Sequence, residues 1–408
     1  MKLNKQFSVV LMLIFLLNIK GKSQDDEINY SQFLNTITTA VPFLMIGPDS
    51  RAGGMGDVGA ATSPDASSAY WNTAKTAFLE QEQALSISYI PWLRSLVNDI
   101  SMAQIGYTWK LNERVSVSHG LRYFSLGKID FRGEDGNLTQ TVNPNELAID
   151  LGGIGYKMSN TFAGGFAVRY VFSNLTSGAA IGGSDSKAGH AVAVDLNGMY
   201  LKPIKFGDKG ADVSFGFNIQ NIGNKISYSE SAERDFIPMN LKIGGGLNIE
   251  IDEFNEFGIY LDINKLLVPT PPAYKKDENN AFVVDANGDY EIESGKDPNV
   301  SVAAGIAQSF LDAPGGIGEE FNELNFAFGA EYWYDKQFAL RAGYFYENPN
   351  KGNRNHLTMG LGLKYNIFNL DFSYLVPLSQ RNPLENTLRF TMSFDFADIK
   401  TKTEETTD

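Results

Sequence analysis

The side chains best suited to catalysis or metal binding are scarce in this chain. It has 408 residues and no cysteine, which excludes disulfides, thiol nucleophiles and zinc–thiolate sites. Its three histidines, His119, His190 and His356, lie far apart in the sequence. We find no serine–histidine–acid order, HExxH helix motif or paired-acid motif beside them. We therefore expect a protein without catalytic activity, a metal ion or a cofactor.

One acidic stretch has the spacing of a calcium-binding loop. Asp285, Asn287 and Asp289 occupy the positions of the first three ligands, but the sixth and twelfth positions hold Tyr290 and Lys296. An EF-hand loop needs glycine and glutamate at those two positions. A solvated acidic loop tip is the simpler interpretation, and the sequence leaves calcium binding open.

A glycine-rich run, DSRAGGMG, occupies residues 49–56. Its glycines permit positive φ angles, and Arg51 is placed to pair with Asp65 in a polar interior. A phosphate-binding loop is disfavoured because the run has no terminal lysine and no preceding strand. We expect residues 24–83 to plug a barrel lumen or to lie below it in the periplasm. The residues that mark this segment are Arg51, Gly53, Gly54, Gly56, Asp65, Trp71 and Asn72.

The amino terminus has the order of a secretory signal. Lys2 and Lys5 precede an apolar run over residues 7–17, and the small residues Gly21 and Ser23 follow it. This run is too short to span a bilayer as a helix, and no later stretch is long and apolar enough to do so. We expect residues 1–23 to be a cleaved signal peptide and residues 398–408 to be a disordered tail.

Between these ends, hydrophobic residues recur with a period of two. In the last such segment, apolar residues alternate with polar ones: Leu388, Phe390, Met392, Phe394 and Phe396 against Arg389, Thr391, Ser393 and Asp395. About fourteen similar segments fill residues 84–397, and many end in aromatic residues, as aromatic girdles at membrane interfaces require. The pattern predicts an all-β fold, a transmembrane antiparallel β-barrel of the bacterial outer membrane.

The turns between segments predict how the barrel is oriented. Short connections at residues 111–114, 157–161, 252–255 and 334–337 belong on the periplasmic side, with longer loops outside. An even strand count then requires residues 267–323 to form one long extracellular loop, with residues 300–310 as a short helix or loop element. A missed strand near residues 281–292 would also restore an even count.

Two predicted extracellular segments carry apolar side chains. Trp92, Leu93 and Leu96 lie in the first, and Leu267, Val268 and Pro269 begin the long loop. Exposed apolar patches more often mark binding surfaces than accidents. We interpret both as partner-binding elements, with packing over the barrel mouth as the alternative.

The run SRAGGMGDVGAATSPDASSAYWN, residues 50–72, resembles the amino-terminal signature of the PorV and PorQ family, a branch of the FadL-type barrels. That signature usually continues as W-N-P-A, whereas this chain has Thr73 and Ala74 after Asn72. Further blocks at residues 265–272, 309–316, 331–343 and 350–355 resemble PorV more narrowly than PorQ. The resemblance covers essentially the whole mature chain.

This resemblance implies a FadL-like barrel of fourteen strands with an inward amino-terminal segment, working in type IX protein secretion. It implies binding of the carboxy-terminal signal domains of cargo proteins, at or after the translocon barrel, and their transfer to the cell-surface attachment complex, which is sortase-like. Outer-membrane lipid would surround the barrel, and a net charge of −14 disfavours nucleic acid. The alternatives are a FadL-like transporter of hydrophobic small molecules and a purely structural scaffold.

Overall fold

The computed structural model describes residues 35–133, 135–176, 186–229, 233–286, 288–379 and 382–396. Fourteen antiparallel strands close into one barrel, as the sequence predicted. The predicted signal peptide over residues 1–23, the following residues 24–34 and the predicted tail over residues 398–408 all lie outside the described residues. Among the described residues, no helix is both long and apolar enough to cross a membrane.

The strands follow one another in chain order around the barrel. The fourteen barrel strands are β1 Gln83–Pro91, β2 Ser101–Lys110, β3 Val115–Ser125, β6 Asn145–Lys157, β7 Phe162–Asn174, β8 Gly189–Phe206, β9 Lys209–Gly223, β10 Asn240–Glu250, β11 Asn255–Leu266, β14 Asn325–Tyr334, β15 Phe338–Tyr346, β16 His356–Tyr365, β17 Phe368–Pro377 and β18 Leu388–Phe396. Two small hairpins lie outside the barrel sheet: β4 Ile129–Arg132 with β5 Leu138–Val142, and β12 Ala273–Tyr274 with β13 Ile292–Ser294. The barrel closes where β1 pairs with β18.

The alternation of side chains follows the predicted two-residue period. In β18, Phe390 and Met392 are exposed on the outer face, whereas Arg389 and Thr391 are buried on the inner face. The outer face is therefore apolar and the inner face polar, as a strand spanning a bilayer around a polar lumen requires. Because the sheet is closed, its strands leave no unpaired edge in the membrane.

The connections differ in length between the two ends of the barrel. Short turns join β2 to β3, β6 to β7, β10 to β11 and β14 to β15, at the four positions predicted to be periplasmic. The opposite, extracellular end carries the longer loops, and the longest runs from β11 to β14. It contains the β12–β13 hairpin and two short helices, Val302–Gln308 and Ile317–Asn322. The first helix lies within residues 300–310, which were predicted to be a short helix or loop element, and residues 281–292 add no barrel strand in the part of the loop that is described.

One predicted strand was too long. The alternation that begins at Val115 continues to Phe131 and predicts one strand over residues 115–131, but β3 ends at Ser125, before Gly127, whose φ is +77°. Residues 129–142 then form the separate β4–β5 hairpin above the barrel. Alternation continues through both strands, so the pattern alone does not reveal the turn.

An inner segment, residues 35–82, precedes β1. It has two short α-helices, Ser50–Gly53 and Ser68–Trp71, and two 3-10 helices, Pro42–Met45 and Thr73–Phe78. At its start, the backbone N–H of Asn35 donates to the carbonyl of Asn350 in an extracellular loop. The main apolar core also lies towards that end, where Phe43 and Leu44 pack with Ile90, Phe124 and residues of the loops.

Candidate functional site

The inner segment occupies the lumen and is bonded to strands all around the barrel. Ser50 N–H donates to Thr391 of β18, and Gly56 N–H donates to Thr358 of β16. The backbone N–H groups of residues 59 and 60 both donate to Asp262 of β11, at 2.7 and 3.0 Å. Side-chain partners on the wall thus replace the water that would otherwise satisfy this backbone.

Arg51 is the centre of a buried charge network. Its guanidinium donates to Asp65 at 2.8 Å, the pair proposed from the sequence, and through two nitrogens to both carboxylate oxygens of Glu331 on β14, at 2.9 and 2.7 Å. Glu331 also accepts from Arg341 on β15, which pairs in turn with Asp371 on β17. Bidentate arginine–carboxylate pairs of this kind combine strong attraction with fixed geometry.

Trp71 and Asn72, at the end of the motif over residues 50–72, are also held by buried hydrogen bonds. Asn72 accepts from the N–H of Ala74 and donates to the carbonyls of Ala60 and Gly198, the latter on β8. Trp71 donates from its indole nitrogen to Asp49, and Lys242 of β10 lies 4.4 Å from its ring centroid. Both residues are buried and make contacts within the segment and to the barrel wall.

Of the three motif glycines, one has the expected positive φ angle and two do not. Only Gly56 has a positive φ, +71°, whereas Gly53 lies in a helix and Gly54 has a φ of −73°. A Cβ atom on Gly54 would lie 2.9 Å from the Cα atom of Gly360 on β16. Close contact between inner segment and wall is therefore the reason for glycine at position 54, and a left-handed backbone is the reason only at position 56.

A cavity of about 380 Å³ lies between the inner segment and the extracellular loops. Its walls are largely apolar and include Phe43, Trp92, Leu93, Phe124 and Phe345. Four polar residues that line it carry buried atoms without a hydrogen-bond partner in the described part of the chain: the amide nitrogens of Asn240 and Asn264, the amide oxygen of Asn325 and both ring nitrogens of His356. An apolar cavity with such groups has the character of a small-ligand site.

The loop residues proposed as partner-binding elements divide into two sets. Leu96 is exposed at the tip of the β1–β2 loop, whereas Trp92 and Leu93 are half-buried and face the cavity. Leu267, Val268 and Pro269 are buried, so the expectation that they form an exposed docking element was wrong. The first two pack into the apolar core below the loops, the alternative that the sequence allowed.

The long loop is fastened to the barrel by buried ion pairs. Lys265 of β11 contacts Glu320 and Glu323 at 3.1 and 2.7 Å, and Lys351 contacts Glu323 at 3.0 Å. The backbone N–H of Asp312 donates to Glu320, and its carboxylate accepts from the N–H of Thr270. Burial, together with the charges of Glu320 and Glu323, raises the pKa of the Asp312 carboxyl to about 6.

The candidate calcium-binding loop is described only in part. Asp285 accepts from the N–H of Asp289 in a tight turn, and Asn287 lies outside the described residues. Over the ranges that the structure describes, no group of three or more His, Asp or Glu side chains is arranged to hold a metal ion. The three histidines lie on different strands: His119 on β3 and His190 on β8 are exposed, and His356 on β16 is buried.

Sequence reasoning missed the wall residues that hold the inner segment, chiefly Glu331, Asp262 and Arg389. Arg389 forms an ion pair with Asp57, more than 300 positions away in the sequence. The alternation did place all three on the polar, inner face. Alternation does not reveal which inward polar residue of the wall contacts a given residue of the inner segment.

A closed barrel with an apolar outer face and a polar inner face is an integral outer-membrane β-barrel. The sequence matches the model of the family described as "Type IX secretion system protein PorV" over residues 17–273, more than half of the chain. The chain belongs to this family, which confirms the resemblance and makes the protein an outer-membrane component of type IX secretion. Secretion and transport barrels of this kind are not an enzyme class.

Solved structures that resemble the chain include hydrocarbon channels and transporters. A deltaS2S3 mutant of the TodX monoaromatic hydrocarbon channel has 14% identity and a TM-score of 0.48, covering 86% of this chain and 99% of that one. The toluene transporter TbuX of Ralstonia pickettii has 14% identity and a TM-score of 0.44, covering 86% and 98%. A FadL homologue of Pseudomonas aeruginosa has 11% identity and a TM-score of 0.43, covering 88% and 99%. No curated protein matches the sequence.

Proposed function

We propose that this barrel binds the carboxy-terminal signal domains of cargo proteins at its extracellular face and passes them to the cell-surface attachment complex. The observation that carries the proposal is the lumen filled by the inner segment, which bonds to β3, β8, β11, β14, β16 and β18. A folded cargo domain does not fit through such a lumen. A barrel of a secretion system with a filled lumen acts on its cargo from outside.

The partners follow from this role. They are the type IX translocon barrel, which releases the cargo, the cargo proteins themselves and the sortase-like attachment complex. Residues 1–23 act as the signal peptide that directs export to the outer membrane. Residues 50–72, with the motif residues Arg51, Gly53, Gly54, Gly56, Asp65, Trp71 and Asn72, act as the plug.

The cargo surface includes the tip of the β1–β2 loop. Leu96 and Val97 are exposed there, and Ser95 donates to the carbonyl of Pro383 in the β17–β18 loop. This contact holds the tip above the mouth, where its apolar side chains face outward. Trp92 and Leu93 lie beneath the tip and contribute to cargo binding by holding the tip in position.

The test is co-purification of a cargo signal domain with the tagged barrel from outer membranes in mild detergent. Aspartate at both positions, Leu96→Asp with Val97→Asp, is expected to reduce the captured domain about tenfold, equivalent to roughly 1.4 kcal/mol. Leu138→Asp is the matched control, an exposed leucine in the β4–β5 hairpin, and should capture the wild-type amount. Undiminished capture by the double variant would exclude the loop tip as the cargo surface.

A second function, binding or transport of a hydrophobic small molecule, is favoured by one observation. The apolar cavity beneath the loops carries unpartnered amide and imidazole groups that a polar head could satisfy. Extraction of the purified barrel followed by mass spectrometry of bound lipids would test it. A stoichiometric amphiphile that disappears with Asn240→Leu supports this function, and an empty extract rejects it.

A further inference from the structure

A pocket of about 370 Å³ lies at the extracellular end of the barrel, beside the start of the inner segment. Residues 38–42 of that segment form one side of it. The other side comes from the ends of β3 and β6, the residue after β7 and the β9–β10 loop. The backbone N–H of Ala40 donates to the carbonyl of Phe236 in that loop at 2.9 Å, so the two sides are bonded to each other. We call this cavity the Glu146 pocket.

Glu146, the second residue of β6, lines this pocket and is only 2% exposed. Its Oε1 atom accepts from the hydroxyl of Ser173, directly opposite on β7, at 2.8 Å. Ser173 in turn accepts from the hydroxyl of Tyr228 at 2.9 Å, and these two bonds fix the direction of the carboxylate. Its second oxygen, Oε2, accepts no hydrogen bond from the part of the chain that the structure describes.

The charge of Glu146 is not neutralised in the way that other buried carboxylates are. Asp195, for example, pairs with Arg169 at 3.0 Å. Asp49 and Asp312 form no ion pair within the described ranges, but each accepts from a backbone N–H. Glu146 has neither kind of partner among the described residues. Because a buried carboxylate is costly unless it is paired, this arrangement points to a cation from outside the chain.

The basic residues of the two adjoining loops do not fill this role. Lys225 lies 4.1 Å from the ring centroid of Phe236, and neither Lys187 nor Arg234 lines the pocket. None of the described residues that line it is a lysine, arginine or histidine. The parts of these loops outside the described residues, 177–185 and 230–232, contain no lysine or arginine.

The rest of the lining indicates which kind of cation fits. Most of it is apolar, and its apolar residues are Val41, Pro42, Phe124, Leu126 and Leu175. Asp235, which is exposed, adds a second carboxylate. A calcium ion takes roughly six to eight oxygen ligands, which such a lining does not supply. An ammonium group on an apolar stem uses both parts, because its N–H groups donate to a carboxylate while its stem contacts apolar and aromatic side chains.

We propose that the Glu146 pocket binds a primary ammonium group carried on a short apolar stem, either a lysine side chain of a peptide or a free alkylamine. The ammonium group donates to Oε2 of Glu146, and Asp235 attracts it to the pocket. The stem lies against Phe124 and Leu126. This site is separate from the exposed tip of the β1–β2 loop, and amine binding does not depend on the proposed transfer of cargo.

Binding of n-butylamine to the full-length barrel, purified in a nonionic detergent, tests this site by ligand-observed NMR. Butylamine is charged at pH 7, as a lysine side chain is. The matched ligand is n-butanol, which has the same stem and a neutral hydroxyl, and empty micelles provide the background for both. We expect the wild-type barrel to bind butylamine about tenfold more tightly than butanol.

Glu146→Gln removes the charge but keeps an oxygen that accepts from Ser173. We expect this variant to bind butylamine about tenfold more weakly than the wild type and butanol equally well. Glu291→Gln, which removes an exposed carboxylate, is the matched control and should bind both ligands as the wild type does. The gel shift between folded and unfolded forms shows whether each variant has folded. Should Glu146→Gln not fold, the comparison of amine with alcohol on the wild type decides the question.

The methylamide of Nα-acetyl-lysine distinguishes the two sources of the ammonium group. Binding as tight as that of butylamine identifies lysine side chains of peptides as ligands, whereas its exclusion with butylamine still bound identifies small free amines. Both results support the site. No binding of butylamine, equal affinity for butylamine and butanol, or a folded Glu146→Gln that binds butylamine as the wild type does would overturn the inference. The proposed function would stand in each of these cases.

Discussion

At the scale of single residues, buried charge holds the inner segment in the barrel. Glu331 lies between Arg51 of the segment and Arg341 of the wall, and its carboxylate accepts from both. A buried ion network is costly to desolvate, so its presence is weak evidence for high stability. Loss of one member is nevertheless destabilising, because it leaves the other charged groups buried and unpaired.

Glu331→Gln should therefore destabilise the folded barrel by about 3–5 kcal/mol. The measurement is denaturant unfolding of the purified barrel in detergent, followed by the shift between folded and unfolded forms on gels. Glu291→Gln is the control, because its pair with Lys275 is exposed and worth about 0–1 kcal/mol. Equal stability of Glu331→Gln and wild type would show that the network does not hold the fold together.

The sequence could predict part of this network. Arg51 and Asp65 are 14 residues apart in one motif, and their pair forms at 2.8 Å. Glu331 is 280 residues from Arg51, so no local pattern connects them. Alternation predicts which face a strand residue occupies, whereas the choice of partner across the lumen depends on barrel closure and register.

At the scale of elements, the fit between the inner segment and β16 depends on the absence of a side chain. Gly54→Ala would place a Cβ atom 2.9 Å from the Cα atom of Gly360, and neither backbone can move freely. Overpacking of this kind costs about 1–3 kcal/mol. We expect the segment to loosen and ion conductance in planar bilayers to rise above that of the wild type.

Gly152→Ala is the matched control for this prediction. A Cβ atom at Gly152 meets nothing within 4 Å, and the residue lies in β6. Its conductance should equal that of the wild type. Wild-type conductance in Gly54→Ala as well would mean that the contact with β16 does not determine how firmly the lumen is filled.

The fastening of the long loop should depend on pH through Asp312. Burial raises the pKa of its carboxyl from 3.8 to about 6, so the folded loop holds this proton more tightly than the unfolded chain. The associated stability is present at low pH and is lost as the pH rises through about 6. Hydrogen exchange of residues 267–323, corrected for its intrinsic pH dependence, should be slower at about pH 5 than at about pH 7.5.

Asp312→Asn keeps an oxygen that accepts from Thr270 but cannot ionise. This variant should protect the loop equally at both pH values. A pH difference that persists in Asp312→Asn would show that the Asp312 carboxyl is not its source.

Most elements followed from the sequence, and the exceptions have a common cause. The fourteen strands were predictable because residues that face the lipid alternate with residues that face the lumen along most of their length. The β4–β5 and β12–β13 hairpins are not in the bilayer, so no such constraint marks them. Leu267 and Val268 were misassigned for a related reason. The sequence does not distinguish an apolar loop residue that packs beneath the loop from one that faces a partner.

At the scale of the whole molecule, the lumen and the extracellular end of the barrel have different roles. The lumen is filled by the inner segment, and the extracellular end carries exposed apolar loops. These features agree with the proposal that the protein receives cargo at the cell surface. A transporter would instead need the cavity under the loops to connect with a path through the barrel.

Deletion of the gene, followed by quantitative comparison of secreted proteins, tests the central claim most directly. We expect many proteins with the carboxy-terminal signal domain to disappear from the cell surface and medium and to accumulate in the periplasm. The wild-type gene restores them, whereas the variant Leu96→Asp with Val97→Asp restores them poorly. Normal secretion in the deletion strain, together with reduced uptake of a hydrophobic compound, would contradict the account and favour the transporter.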